Sequence, residues 1–305
     1  MRDSIHKYFK VGLIEFMAWP AGLRGEDPDI LERVKEVAYD DYFTAIELTW
    51  IKNAETRKEV AKLLETAKMT VCYGAQPRLL TTGLNPNHTD EAERQRAEAT
   101  LMEAIDEAYE LGAKGMAFLS RQWDEDTKEL AFEQLLKTTR NLCDYAKAKD
   151  MLIELEVFDF DIAKSALIGP APLAAKFAAN MRTTHDNFGL MIDLSHIPMT
   201  YETSEFVVRT LRPYLTHFHI GNTVCEDSSA VGYGDEHQRF GFPGGSNDVP
   251  ELLEFLRVLK NEGFFNAEDP YVLSFEVKPW QDEDSNAVIA NAKRTLNRAW
   301  ALLED

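Results

Sequence analysis

The sequence predicts an α/β fold: a single (β/α)8 barrel forming one domain over residues 1–305, with long loops after strands five and seven. Three observations predict it. Short β-rich runs alternate eight times with longer amphipathic stretches, as a parallel sheet requires. The mean unit, 305/8 or about 38 residues, holds one strand, one helix and their two connections. The first strand runs into MAWPAGLRG, with neither GxGxxG nor GxxxxGK[ST], the phosphate loops expected of an open, doubly wound sheet.

The strands are expected at 11–17, 44–50, 69–76, 114–120, 151–158, 188–193, 216–221 and 271–277. The helices are expected at about 28–41, 53–67, 89–111, 125–149, 170–181, 203–213, 248–262 and 284–303. Thr89 reads as an N-cap, Pro28 and Pro250 as first-turn prolines, and Gly112 and Gly263 as residues just past a helix end. After strand seven, residues 222–247 (NTVCEDSSAVGYGDEHQRFGFPGGSN) exceed an ordinary connection and read as an ordered lid. Residues 159–169, after strand five, read as a second lid. Both belong on the C-terminal face, where barrels of this kind carry their chemistry.

Charge narrows the partners. With 33 Lys+Arg against 52 Asp+Glu, the net charge is −19. Such a body repels nucleic-acid phosphates and anionic membrane surfaces, so neither is expected as a partner. Apolar residues make up 45% and charged residues 28%, an ordinary globular composition. Cys72, Cys143 and Cys225 form no CxxC pair and no disulfide framework. Glu15 interrupts the one apolar run near the N-terminus, which reads as neither a signal segment nor a membrane span. A cytoplasmic protein is expected.

Acids and histidines at strand ends carry the chemistry, because a buried charge costs several kcal/mol unless paired or ligated. Strand five holds Glu154 and Glu156, two apart and so on one face. Strand six ends at Asp193, with His196 three residues on. Strand seven holds His217 and His219, and strand eight holds Glu276, followed by Lys278. The residues nearest the mouth are Glu156, Asp193, His219 and Glu276. Three carboxylates and one imidazole suit one hard divalent cation, such as Mn²⁺, Mg²⁺ or Co²⁺. Glu154 is the alternative to Glu156, and His217 reads as a supporting or structural group rather than a ligand. Glu47 either faces the pocket or pairs outside the barrel, and Glu15 is similarly undecided. His6, His88 and His185 carry no expected role. Trp19, Trp50, Phe158, Tyr233, Phe240 and Trp280 lie at or beyond strand ends, where they either stack on a sugar or pack the barrel top.

The motifs LEVFDFD, IDLSH, HFHIGN and FEVKP, in this order and spacing, resemble the xylose isomerase-like TIM barrels. The resemblance covers about residues 11–300 and is nearest the sugar phosphate isomerase/epimerase group, which includes the D-tagatose and D-psicose 3-epimerases. It implies one divalent cation, Mn²⁺ first, held by Glu156, Asp193, His219 and Glu276. It also implies that Glu156 and Glu276 serve as the acid/base pair. His196 and Arg239 would hold substrate hydroxyls, and Lys278 and Trp19 are further substrate-contacting candidates. The implied reaction is isomerisation or epimerisation of a small carbohydrate: a proton leaves the carbon beside a carbonyl, and the cation stabilises the enediolate. If a leaving group sits β to that enolate, the same chemistry expels it. That variant resembles the α subunits of C-glycoside deglycosylation enzymes, which cleave 3-oxo-glycosides with a small β subunit. Either that subunit or a homo-oligomer is compatible with the resemblance. The abasic-site endonuclease branch is disfavoured by the charge of −19 and only seven histidines. A non-catalytic sugar-binding barrel is disfavoured because all four candidate ligands are present.

Overall fold

The computed structural model describes residues 1–304. Eight parallel strands form a barrel: β1 (Phe9–Ile14), β2 (Ala45–Leu48), β3 (Thr70–Tyr73), β4 (Gly115–Leu119), β5 (Leu152–Glu156), β6 (Phe188–Asp193), β7 (Leu215–Gly221) and β8 (Tyr271–Glu276). The ladder order is β3-β2-β1-β8-β7-β6-β5-β4. The remaining joint, β3 to β4, is made by one bridge, Gly74 with Ala117, whose bond runs from the Ala75 N–H to the Ala117 carbonyl at 2.8 Å.

Ten helices surround the sheet: α1 (Glu15–Ala18), α2 (Ile30–Ala38), α3 (Ala54–Ala67), α4 (Gln76–Thr82), α5 (Glu91–Glu110), α6 (Lys128–Lys147), α7 (Ala171–Arg182), α8 (Ser204–Leu211), α9 (Val249–Asn261) and α10 (Ser285–Leu302). Among the described residues no helix is long and apolar enough to cross a membrane.

Several expected boundaries are corrected. The first strand ends at Ile14 rather than 17, because Glu15–Ala18 coils into α1 at the barrel mouth. The third ends at Tyr73 rather than 76, because Gln76, followed by Pro77, starts α4, which periodicity did not suggest. The fifth ends at Glu156 rather than 158. Asp90, not Thr89, caps α5, accepting from the Ala92 and Glu93 N–H groups. Pro28 lies outside α2, ahead of the N-cap Asp29. Pro250 does sit in the first turn of α9, where Asp248 and Glu251 form a reciprocal capping box. Gly112 and Gly263 have φ of 84° and 86°, the left-handed geometry expected past a helix end.

The interior of the barrel differs from the branched apolar filling usual in this fold. Register places Gly12, Ala45, Ala117, Gly189 and Ser274 on the inward face, level with or below the charged residues. The large apolar residues, such as Leu13, Ile46, Phe118, Leu155, Phe218 and Phe275, alternate outward and are buried beneath the helices. The hydrophobic core is therefore the outer layer. Small inward residues leave the lumen open to long polar side chains.

Both long loops are internally braced. In 159–169 the fully buried Asp159 carboxylate accepts from the N–H groups of Ile162, Ala163, Lys164 and Ser165 at 2.7–3.2 Å. In 222–247 Asn222 accepts from the Asn247 N–H at 2.8 Å and donates to the Arg239 carbonyl at 3.0 Å. The Lys164 ammonium joins the two loops by pairing with Asp235 at 2.5 Å.

Candidate metal centre

Four adjacent strands bring Glu156, Asp193, His219 and Glu276 to one point at the barrel mouth. One donor atom from each lies within 4.8 Å of all the others, and all four residues are buried. Glu156 and Glu276 end their strands, and Asp193 pairs in register with His219. The His219 Nδ1 is 2.8 Å from Glu276 Oε2 and 3.6 Å from Glu156 Oε1. Glu156 Oε2 accepts from the Gln76 amide at 2.7 Å, whereas Glu156 Oε1 is buried with no hydrogen-bond partner. Asp193 accepts from the Ser195 N–H at 2.9 Å and from the Ser195 hydroxyl. Three buried carboxylates this close repel one another, and an unpartnered carboxylate oxygen aimed at the cluster is expensive. A divalent cation relieves both costs, so the donor set fits one. Its three oxygens and one nitrogen are the ligands of a hard or borderline ion.

The electrostatics express the same crowding. Burial lifts the Glu276 carboxyl above its usual range, with His237 and His219 offsetting part of the rise. Burial opposes charge on His219, but Glu47, Glu156 and Glu276 outweigh it and hold the imidazole well above its usual value. The same contest raises His196 to about 10, through Asp235, Asp193 and Glu156. It raises His237 to about 9, through Glu276, Asp235 and Asp193. Asp235, buried but faced by Lys164, His237 and His196, is held well below the usual carboxylate range.

A cavity of about 180 Å³ opens over the centre, lined on the polar side by Glu47, Gln76, Glu156, Lys164, His219, Asp235, His237, Glu276 and Lys278. The rest of the lining is apolar and is built by Ile14, Phe16, Met17, Leu23, Pro77, Leu80 and Phe158. A larger surface groove of about 810 Å³ runs along α3 beside Met69, Val71 and the end of α5, and shares no lining residue with this cavity.

The other sequence candidates are distributed unevenly. Lys278 lines the cavity and pairs with Glu236. His196 lies beside the centre, its Nδ1 3.1 Å from the Val157 carbonyl and its Nε2 3.3 Å from Asp235. Arg239 is turned aside: it donates to Glu283 at 2.9 Å, rests on Phe242 and is not among the cavity-lining residues. Trp19 is buried in the hydrophobic layer, with Arg33 over its ring. Glu154 sits one inward position below Glu156 and accepts from the Thr216 hydroxyl at 2.6 Å, outside the group of four. Glu47 faces inward. Among the charged and amide side chains of the cavity, four went unread in the sequence: Gln76, Lys164, Asp235 and His237. The available signal was an acid and an imidazole two residues apart within the lid, Asp235 and His237.

The strand order and the centre can now be set beside known proteins. A family model described as the xylose isomerase-like TIM barrel matches residues 32–294. The chain belongs to this family. Solved structures with similar folds include a D-tagatose 3-epimerase-like protein, at 19% identity and a TM-score of 0.70, covering 96% of this chain and 99% of that one. An L-ribulose 3-epimerase superposes at 18% identity and a TM-score of 0.73, covering 96% of each chain. The IOLI protein with a bound zinc atom superposes at 15% identity and a TM-score of 0.72, covering 97% of this chain and 100% of that one. No curated protein sequence matches significantly. Within the xylose isomerase-like family the fold is common ground, and function rests on this chain's own site.

Proposed function

We propose that this protein is a divalent-metal-dependent sugar isomerase or epimerase that moves a proton at the carbon beside a carbonyl. The observation that carries the reading is the convergence of Glu156, Asp193, His219 and Glu276 donor atoms within 4.8 Å at a small cavity lined by both polar and apolar side chains. The sugar epimerases and the zinc-bearing protein among the structural neighbours are consistent with it. Mn²⁺ is the preferred ion, with Mg²⁺ and Co²⁺ as alternatives. When bound, the cation supplies Lewis-acid polarisation of a carbonyl and charge neutralisation for the enediolate.

The chain's own groups do the rest. Glu156 and Glu276 approach the cavity from β5 and β8, with β6 and β7 between them. One takes the proton and the other returns it. Return to the opposite face of the same carbon gives epimerisation, and return to the neighbouring carbon gives isomerisation. The burial that raises Glu276 brings it closer to neutral pH, which suits a group alternating between acid and base. Gln76 holds one Glu156 oxygen and leaves the other facing the centre. Lys278 and His196 are assigned to substrate hydroxyls. Arg239 and Trp19 would take that role only if their side chains turned toward the cavity. Three free thiols accord with a cytoplasmic setting.

The apolar wall favours a second reading. Ile14, Phe16, Met17 and Leu80 offer no hydroxyl partner and fit an aglycone, as in the cleavage of 3-oxo-glycosides with a small β subunit. Release of aglycone from a 3-oxo-glycoside, without deuterium-labelled isomer, would select it.

The deciding experiment measures metal content by mass spectrometry in protein purified without chelator, beside Glu156→Gln. It then follows C–H exchange of ketoses and aldoses in D₂O. About one divalent ion per chain, lost in the variant together with exchange, is expected. No divalent ion in the wild type after soaking in Mn²⁺ would overturn the proposal.

A further inference from the structure

Below the centre, a chain of side chains crosses the lumen. Glu47, 2% exposed, reaches from β2 across to β7, past β1 and β8. The inward residues beside its path are Gly12, Ala45 and Ser274, too small to block it. Its Oε1 accepts from His217 Nε2 at 2.8 Å and from His219 Nε2 at 3.1 Å, and its Oε2 lies 3.2 Å from the same His219 nitrogen. The two imidazole rings stand nearly perpendicular, at 88° with centroids 5.1 Å apart. At the far end His217 Nδ1 is 3.5 Å from Glu154 Oε2, while Glu154 Oε1 accepts from the Thr216 hydroxyl at 2.6 Å.

We propose that Glu47 is a positioning residue for the centre: backed by His217 and Glu154, it holds the Nε2–H of His219 and so presents Nδ1 to Glu156, Asp193 and Glu276. The inference rests on the metal-dependent reading above. A histidine ring has two nitrogens, and which of them ligates is decided by what the other is bonded to. Here Nε2 is held on one side by Glu47, and Nδ1 is the nitrogen facing Glu276 and Glu156. A carboxylate on the far nitrogen also makes the imidazole a better ligand, and its loss ordinarily costs 10- to 100-fold in metal affinity. His217 braces the Glu47 carboxylate from below, and Glu154 braces His217. The Glu47, Cys72 and His217 donor atoms also lie within 4.8 Å of one another. Both Glu47 oxygens are already engaged by imidazoles, and neither Glu47 nor His217 has a buried unpartnered nitrogen or oxygen. Hydrogen bonding therefore accounts for this lower cluster.

Two measurements test the proposal. The first compares Co²⁺ affinity and the Co²⁺ absorption spectrum of the full chain with those of Glu47→Gln, which keeps the shape and removes the charge. Binding weaker by on the order of 10- to 100-fold, with an altered spectrum, is expected. The second needs no variant: nitrogen-15 histidine resonances of the zinc-loaded wild type should show Nε2 of His219 protonated and Nδ1 shifted by the metal. Should Glu47→Gln not fold, this measurement decides alone. Affinity within about threefold of wild type in a folded variant, or Nε2 as the metal-shifted nitrogen, would overturn the role of Glu47 and leave the metal reading standing. A wild type that binds no divalent ion would sink both.

Discussion

The centre makes a quantitative prediction about acid. Without a cation the carboxylates within 2.8–3.6 Å of the two His219 nitrogens outweigh the cost of burying its charge and favour the protonated ring. A cation takes the Nδ1 lone pair and must displace that proton. The proton belongs to the cation-free protein and not to the loaded one, so acid disfavours loading. The interval that begins at the ordinary imidazole value, about pH 6.5, and rises to the raised His219 value is the one in which the cation-free protein holds this proton. Across it the apparent association constant should climb about tenfold per pH unit, or about 1.4 kcal/mol. His237 is raised to about 9 and stands 3.4 Å from Glu276 Oε1. If the cation's field discharges it too, the slope moves toward two. Calorimetric titration of Mn²⁺ in two buffers of different ionisation enthalpy counts the released protons directly. A pH-independent association constant with no proton release would refute the assignment of His219.

Further predictions concern the scaffold. Asp159→Ala removes the acceptor of four loop N–H groups, and at about 1.5–3 kcal/mol for a charged hydrogen bond, less what water restores, should cost about 3 kcal/mol. Denaturant unfolding measures that loss, and hydrogen exchange at residues 162–165 should accelerate. Gly12→Ala would put a Cβ 2.4 Å from the Ser274 hydroxyl, and should cost about 1–3 kcal/mol by thermal unfolding unless Ser274 rotates away. Lys164→Met strips Asp235 of its ammonium partner but leaves His237 and His196 facing it, and should cost about 1.5–3 kcal/mol near neutral pH. Because the folded Asp235 value is depressed, that difference is full above about pH 4 and shrinks as acid titrates the carboxylate.

The layout of the fold was legible because outward strand residues such as Leu13, Ile46 and Phe218 pack beneath amphipathic helices, and that alternation is written locally. Strand ends were less legible. Nothing local distinguishes Glu15 starting a helix at the mouth from Glu15 continuing a strand, and the same holds for Gln76. Within the centre, Glu156, Asp193, His219 and Glu276 stood out because charged residues ended β-rich runs. Glu47 did too, but its face depends on register against β1 and β3, which no single strand encodes. Asp235 and His237 sit in a loop whose path is set by Lys164 from the 159–169 loop and by Asn222 at its own start, 17 residues from its partner Arg239, so their approach to the centre is a tertiary fact. Arg239 shows the reverse: its charge was visible, but its partner Glu283, 44 residues on, was not.

The single bridge between Gly74 and Ala117 gives the ring a seam. Seven joints are closed by ladders and one by a single bridge, so the structure is mechanically a curled ribbon whose two margins meet at one point. Solvent exchange should enter there first, at the amides of β3 and β4. Cutting the chain in the α4–α5 connection, between those two strands, would sever no ladder. The polypeptide could then be supplied as two pieces, one carrying Glu47 and Gln76 and the other carrying Glu156, Asp193, His219 and Glu276, with reassembly of the lumen required to bring Glu47 back to His219.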